Sequence, residues 1–193
     1  MPGITEKLIA EKTLELASKK PVNRITVKEI VSACSITRNT FYYHYHDVYD
    51  VLNAIMQDKL TEFYNNSELE LDERLFDLID YCASYKKVWH NLYKGIGRER
   101  FSDYVGAKMK ELISYNIDNY ERTAQISRQD REIICEFYSE AIIGVMIGWI
   151  ENGNYNGDKQ DLMNWLDRIR KLFAGQVELI VSNSMKYPID EGD

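Results

Sequence analysis

The stretch Thr26–Tyr45, TVKEIVSACSITRNTFYYHY, predicts two short helices joined by a tight turn. Thr26 and Glu29, three residues apart, have the capping-box form that begins a helix. Apolar residues then recur at spacings of three and four, which places them on one buried face: Val27, Ile30, Val31 and Cys34. The first helix therefore needs packing on only one side.

The second helix combines a buried side with a polar surface. Thr37 is a candidate N-cap, and Phe41 and Tyr45, four residues apart, are expected in the core. The remaining side chains spread over the exposed surface: Arg38, Asn39, Thr40, Tyr42, Tyr43 and His44. In a helix-turn-helix, the first residues of the second helix meet base edges in the major groove of DNA.

The side chains at the beginning of the second helix suit direct reading of bases. The Arg38 fork fits guanine, the Asn39 amide fits adenine, and Thr40 suits a thymine methyl group or a phosphate. An ordinary solvent-exposed helix is the alternative interpretation. The arrangement favours a sequence-specific DNA-binding regulator over an enzyme.

The same stretch resembles the TetR family of bacterial transcription factors. The resemblance is carried by the Thr-hydrophobe-Tyr-x-His-aromatic segment Thr40–Tyr45 and covers roughly Ile4–Ile55. The string TRNTFYYHYHDVYDVL is similar to the branch that includes regulators of dihydroxyacetone kinase operons. The resemblance implies that five residues contact phosphates or the DNA backbone beside the base-reading residues: Thr26, Lys28, Thr37, Tyr42 and His44. Tyr43 is a further candidate DNA-binding residue. At two positions the chain departs from the family, with Ser35 in place of the usual turn glycine and Val48 in place of a frequent lysine.

The rest of the chain predicts an all-α fold, because no stretch alternates with a period of two. Helices are expected over Ile4–Ser18, Asp47–Tyr64, Leu71–Trp89, Phe101–Tyr120, Asp130–Ile150 and Asp158–Val181, with a loop at Gly95–Arg100. We expect a helix-turn-helix DNA-binding domain at 1–47, a helical effector-binding and dimerisation domain at 48–185, and a flexible tail at 186–193.

The net charge of −7 argues against a general nucleic-acid binder. Residues 1–60, however, carry eight Lys and Arg against seven Asp and Glu, so the acidic excess lies in the remainder of the chain. The predicted DNA-binding domain at 1–47, called the head below, is therefore not repelled from DNA by its own charge.

The apolar run Ala141–Ile150, with Gly144 and Gly148 four residues apart, needs cover on several sides. A buried central helix of a monomer is one interpretation. We favour a homodimer in which this helix and the last one form a four-helix interface with a second copy. The predicted interface residues are Gly144, Ile147, Gly148, Leu162, Leu166, Ile169 and Phe173.

Five aromatic residues in the middle helices are candidates for an effector pocket, as the family resemblance implies: Tyr81, Tyr85, Trp89, Tyr93 and Tyr104. Ordinary core packing is the competing interpretation. The sequence identifies no ligand, and a small molecule, a protein partner and no effector all remain open.

Motifs for catalysis, metals and cofactors are missing from the sequence. His44 and His46 do not face each other on a helix, and Gly95-Ile96-Gly97 lacks a third glycine and a preceding strand. The three scattered cysteines are expected to be buried thiols in a reducing cytosol. The start, MPGITEKLIAEK, has no apolar signal core, and Ala141–Ile150 is about half of a roughly 20-residue membrane span. We therefore predict a cytoplasmic protein without a metal, a cofactor or a membrane partner.

The sequence thus predicts a dimeric TetR-like repressor that binds a near-palindromic operator in double-stranded DNA. An effector would relieve repression by altering the spacing of the two heads. The alternative from a different class is a helical small-molecule carrier or enzyme with a non-functional DNA-binding head.

Overall fold

The computed structural model describes residues 3–66, 71–118, 126–152, 160, 164, 167–168, 171–172 and 176–187. Within these ranges the regular structure is helical, and no strand occurs. The helices are α1 (Ile4–Ala17), a 3-10 turn (Val22–Arg24), α2 (Val27–Cys34), α3 (Arg38–His44), α4 (Val48–Asn65), α5 (Leu71–Ser84), α6 (Lys86–Ile96), α7 (Arg98–Asp118), α8 (Arg128–Asn152) and α9 (Gln176–Lys186). The predicted all-α fold is confirmed.

The chain divides into two compact units, Met1–Glu99 and Arg100–Asp193. The first unit contains the helix-turn-helix together with α4, α5 and α6. It therefore extends past the boundary predicted after residue 47. The functional division into 1–47, 48–185 and 186–193 stays a prediction.

The core of the first unit forms around α1. Ile9, Thr13 and Ala17 recur at intervals of four residues and are all buried. This face packs against α2, α4 and α6. Phe41 of α3 and Leu60 of α4 are likewise fully buried within the unit. The three-helix head is thus held by a core that it shares with the following helices.

Helix α6 approaches the head closely at two points. The Asn91 side-chain amide donates a hydrogen bond of 2.8 Å to the Ala17 carbonyl, in the last turn of α1. A Cβ atom at Gly95 would lie only 3.0 Å from the Asn23 backbone nitrogen and 3.1 Å from that of Val22. A glycine at this position therefore lets α6 lie directly against the 3-10 turn.

Two predicted boundaries in this region were wrong. The helix expected over Leu71–Trp89 breaks at Tyr85. Of the loop expected over Gly95–Arg100, only Gly97 lies outside a helix, because Gly95 and Ile96 belong to α6 and 98–100 to α7. No glycine or proline marks the break at Tyr85, so local sequence gave no signal for it. Gly97, with φ of 83°, is the residue that ends α6, as glycine commonly does after a helix.

The second unit is built from α7, α8 and α9. Phe101 and Val105 of α7 and Ile143 of α8 are buried, and Gly106 makes room for the Ile143 side chain. Polar contacts join the three helices: Arg131 donates to the Ser114 hydroxyl at 2.8 Å and to Asp118, Lys110 pairs with Glu136, and Ser184 donates to Asp130. Part of the helix predicted over Asp158–Val181 lies outside the described residues.

Helix α8 is more apolar over its length than the ten-residue run suggested. The segment Arg128–Glu151 has a mean hydropathy of 1.6 in its most apolar window, and only 28% of that window is buried. By length and composition alone it is able to cross a membrane, but core helices of soluble proteins meet the same criterion. Within the part of the chain that the structure describes, much of this helix is exposed.

The turn between α2 and α3 contains Ser35, which has φ of 54° and ψ of 38°. Among the described residues it is the single non-glycine residue with positive φ. The left-handed region is disfavoured for residues with a Cβ atom but open to glycine. Serine therefore adopts, at this position, a left-handed conformation that glycine adopts at lower cost.

We expect Ser35→Gly to stabilise the first unit by up to about 1 kcal/mol. Left-handed backbone costs a residue with a Cβ atom roughly 1–2 kcal/mol, and glycine avoids this cost. The greater freedom of glycine in the unfolded chain offsets about 0.5–1 kcal/mol of that gain. Urea unfolding would measure the change. Ser32→Gly, within α2, is the matched control and should be destabilising. An unchanged or lower midpoint for Ser35→Gly would contradict the prediction.

Candidate DNA-binding surface

The first helix of the motif begins with the predicted capping box. The Glu29 backbone N–H donates to the Thr26 hydroxyl oxygen at 3.3 Å, and the Thr26 N–H donates to Glu29 Oε2 at 2.9 Å. The Thr26 hydroxyl also donates to Glu29 Oε2 at 2.9 Å. Its proton is therefore directed at a carboxylate of the same chain. Lys28, which was predicted to bind phosphate, is exposed.

The second helix begins at Thr37, which is the N-cap that the sequence predicted. The Thr40 backbone N–H donates to the Thr37 hydroxyl oxygen at 3.1 Å, and the two hydroxyl oxygens lie 2.8 Å apart. Only one hydroxyl proton lies between these two oxygens. The other remains available to an acceptor such as a DNA phosphate.

Helix α3 separates a core side from an exposed side. Phe41 is fully buried, and Tyr45, just after the helix, is half-buried, with burial raising the pKa of its phenol. Arg38 and Asn39 are exposed in the first turn. Tyr43 is 85% exposed. The residues predicted to meet DNA thus emerge on one side of a short helix that a buried phenylalanine fixes in place.

Further along α3, Tyr42 is 54% exposed, although its ring packs nearly perpendicular to that of Phe41, with the ring centroids 5.6 Å apart. His44, like Thr40, is half-buried, whereas the other predicted contacts are exposed. Its Nδ1 lies 3.5 Å from Glu6 Oε1 of α1. The imidazole therefore lies beside a carboxylate of α1.

Helix α4 begins differently from the family pattern. Asp47 is the N-cap, and its carboxylate accepts from the Asp50 N–H at 2.9 Å. Val48, where the family often has lysine, is 6% exposed and belongs to the core. This position therefore contributes packing and no phosphate contact. A cation that sequence reasoning missed, Lys20, instead lies at the beginning of α2, where its ammonium is 2.5 Å from Glu29 Oε1.

The predicted effector aromatics fall in both units. Tyr81, Tyr85, Trp89 and Tyr93 lie in the first unit, whereas Tyr104 lies in the second. Trp89 is buried, at 7% exposed, and the other four are half-buried. Burial raises the pKa of the Tyr104 phenol to about 12.

Tyr81 and Tyr85 form a local cluster with α4. Their ring centroids are 4.8 Å apart, and the Lys59 ammonium lies 5.1 Å from the centre of the Tyr81 ring. A nearby open cleft of about 20 Å³ has room for little more than a water molecule. It is lined by Lys59, Glu62, Phe63, Asn66, Asp77 and Leu78, and none of the predicted aromatics is among them.

The residues predicted at a dimer interface divide into three groups. Gly144 is exposed and Gly148 half-buried, and an added Cβ atom at either would meet nothing within 4 Å. Ile147 instead faces the core of its own chain at 3% exposed. Leu162, Leu166, Ile169 and Phe173 lie outside the residues that the structure describes.

Two large apolar residues on α8 were missed by the sequence analysis. Ile133 is 55% exposed and Phe137 is 68% exposed. With Ala141 and Gly144 they follow one another at helical spacing along an exposed stripe of α8. This spacing was visible in the sequence, but it begins before the apolar run Ala141–Ile150, where Glu136 and Glu140 lie between the apolar residues. Leu172 and Leu179, near the carboxyl end of the chain, are also more than half exposed.

The cysteine thiols have no disulfide partner: Cys34 is buried and Cys82 and Cys135 are half-buried. Burial raises the pKa of the Cys82 thiol to about 12, so it is protonated at neutral pH. No group of three or more His, Cys, Asp and Glu able to hold a metal ion occurs in the part of the chain that the structure describes.

Comparison with known proteins agrees with this architecture. The chain is 22% identical over 183 residues to the HTH-type dhaKLM operon transcriptional activator DhaS of Lactococcus lactis subsp. lactis (strain IL1403), covering 93% of this chain and 94% of that protein. A solved structure of the dihydroxyacetone kinase operon activator DhaS matches with a TM-score of 0.71 and 22% identity, over 91% of this chain and 97% of that one. This likeness supports the two-domain helical fold.

A family model also matches the part of the chain that follows the head. The model for the TetR transcriptional regulator C-terminal region (TetR_C_8) matches residues 70–175. The match therefore covers more than half of the chain and complements the helix-turn-helix at its amino end. The chain belongs to the TetR family of transcriptional regulators and resembles the regulators of dihydroxyacetone kinase operons.

Proposed function

We propose that this protein is a homodimeric, sequence-specific DNA-binding regulator that reads a near-palindromic operator with α3. The observation that carries the proposal is the exposure of Arg38, Asn39 and Tyr43 on a helix anchored by the buried Phe41. In a helix-turn-helix such a helix enters the major groove, while the preceding helix crosses the backbone. Lys28, Thr37 and His44 would position the head on phosphates. The Thr26 N–H and hydroxyl, by contrast, donate to Glu29 of the same chain.

A second copy of the chain is the proposed cover for the exposed stripe of α8. Ile133 and Phe137 are large and apolar, and leaving both in water is unfavourable. Gly144 continues the stripe with a surface that another helix is able to approach closely. A symmetric dimer buries such a patch against its own copy. The same explanation accounts for the apolar α8 without a membrane and suits a cytoplasmic protein.

For the effector, we propose that a small molecule or a protein binds the helices that follow the head and alters the spacing of the two heads. Asn91 and Gly95 give this proposal a physical connection, because they hold α6 against α1 and the 3-10 turn. A ligand that favours one position of α6 would then favour one position of the head.

We consider two directions of transcriptional control, repression and activation. Repression follows if the operator overlaps a promoter, so that the bound dimer excludes the polymerase. Activation is the second candidate, because the similar proteins are both named as activators of a dihydroxyacetone kinase operon. A reporter behind the selected operator, measured with and without the protein, distinguishes these outcomes by the sign of the change.

Selection of bound duplexes from randomised DNA is the direct test of the function. We expect two inverted half-sites with centres about one helical turn, roughly 34–36 Å, apart. A carrier or enzyme with a non-functional head would enrich no sequence. Binding without any inverted repeat would contradict the dimeric mode of reading.

We expect Arg38→Ala to weaken binding to the selected operator by about 1–3 kcal/mol and to relax one base position. The guanidinium is proposed to form a bidentate contact with guanine, which alanine cannot replace. Titration of the operator and of a random duplex measures both effects.

Lys28→Ala is the matched comparison for Arg38→Ala. It should weaken binding to both duplexes evenly and lower the salt slope by about 1, because a phosphate contact carries no sequence information. Equal losses on the two duplexes for Arg38→Ala would show that Arg38 does not read a base.

A further inference from the structure

Lys20 and Glu29 form an ion pair at the beginning of α2. The Lys20 ammonium donates to Glu29 Oε1 at 2.5 Å. The other carboxylate oxygen, Oε2, accepts from the Thr26 N–H and from the Thr26 hydroxyl, each at 2.9 Å. Lys20 precedes the 3-10 turn, so the pair joins the end of α1 to the first turn of α2.

The Glu29 carboxylate is a permanent anion at physiological pH. The hydrogen bond from Lys20 and the hydrogen bonds from Thr26 together lower its pKa to about 2. Its partners are an ammonium, a hydroxyl and a backbone N–H, which are the groups that proteins use to bind DNA phosphates. The Glu29 carboxylate, which belongs to the same chain, therefore occupies the Lys20 and Thr26 donors that are suited to the DNA backbone.

The location of this pair matters because α2 is the helix expected to cross the DNA backbone. Lys28, a predicted phosphate contact, is exposed and directly precedes Glu29 in the sequence. Lys20 thus brings a second cation to the same end of α2, and there it is matched by a carboxylate.

We propose that Glu29 is a positioning residue of the DNA interface, because it holds Lys20 in an internal ion pair and keeps that cation from DNA phosphates. The inference rests on the proposed DNA-binding function. Sequence-independent affinity comes almost entirely from neutralised phosphates. Glu29 therefore limits how strongly the head binds DNA of any sequence, while the base contacts of α3 are left intact.

The test is the salt dependence of binding by Glu29→Gln to a random duplex. Glutamine also serves in capping boxes, so the first turn of α2 is retained while the charge is removed. We expect the plot of log K against log salt to steepen by about 0.9, the value for one added phosphate contact. Affinity for the random duplex should rise roughly five- to tenfold at about 0.1 M salt.

Two further variants identify Lys20 as the source of the change. The double variant Lys20→Gln with Glu29→Gln should return the slope to that of the wild type. Lys20→Gln alone should leave the slope unchanged, because its charge is already matched inside the protein. Lys20→Gln alone also tests the proposal if Glu29→Gln does not fold. A slope shallower by about 0.9 for Lys20→Gln would mean that Lys20 already binds a phosphate, and would overturn the proposal.

Glu15→Gln is the matched control for the loss of a negative charge. Glu15 is an exposed carboxylate on α1 that accepts hydrogen bonds from Lys12 at 3.2 Å and Lys19 at 2.7 Å. We expect no change in the salt slope for this control. An equal steepening in Glu15→Gln, or an unchanged slope in Glu29→Gln, overturns the inference alone. A wild-type chain that binds no duplex overturns the proposed function with it.

Discussion

Phe137→Glu is expected to convert the proposed dimer to a monomer and to weaken operator binding by a factor of about 10²–10⁴. That factor is the usual gain when two linked binding modules engage one target together. The substitution places a charge in the exposed apolar stripe of α8, between Glu136 and the nearby Glu140. Sedimentation measures the mass, and titration of operator DNA measures the affinity.

Two comparison variants separate the interface from the fold. Phe137→Leu keeps an apolar side chain and should remain dimeric. A Cβ atom added at Gly144 would meet nothing within 4 Å, and Gly144→Leu replaces a helical glycine, so the isolated chain should stay folded. Between two copies the larger side chain should force the helices apart. A wild-type mass and operator affinity for both Phe137→Glu and Gly144→Leu would exclude α8 from the interface.

Trp89→Ala is expected to destabilise the first unit by about 3–5 kcal/mol, the range for removing a large core aromatic. Trp89 is 7% exposed and lies on α6 beside the buried Val88 and Leu92. Many domains have only about 5–15 kcal/mol of total stability, so this loss should lower the melting temperature substantially. DNA binding should weaken in parallel, because α6 packs on the 3-10 turn and α1.

Tyr93→Ala is the comparison for Trp89→Ala, because Tyr93 is half-buried on the same helix. Its loss should cost less stability. Thermal melts alongside operator titration distinguish core packing from effector sensing for each residue. If Trp89→Ala kept its melting temperature and operator affinity, yet no longer responded to an effector, Trp89 would be a sensor and not a core residue.

The head was the part of the fold most open to prediction. Its caps at Thr26 and Thr37 and its buried Phe41 follow from residues within three or four positions of one another. Such local hydrogen bonds and helical spacings are visible in a linear sequence. Glycine signals were less reliable, because Gly95 reflects a close approach between helices and not a loop.

The exposure of the candidate residues was predictable from the sequence, but their pairings were not. Arg38, Asn39 and Tyr43 were expected to be exposed, and they are. The contacts of Glu6 with His44 and of Lys20 with Glu29 join residues well separated in sequence. No periodicity reports such pairs, because they depend on how α1 packs against the helix-turn-helix.

By itself, the sequence determined that this chain is helical, where the proposed DNA-reading helix begins and which side of that helix is buried. These properties depend on hydrogen bonds and apolar spacing within a few turns. Only the tertiary structure decided that Lys20 is paired with Glu29, that Ile147 faces inward, and that Phe137 is left uncovered. Those outcomes depend on which helices meet, because the burial and charge pairing of a side chain are set by neighbours distant along the chain.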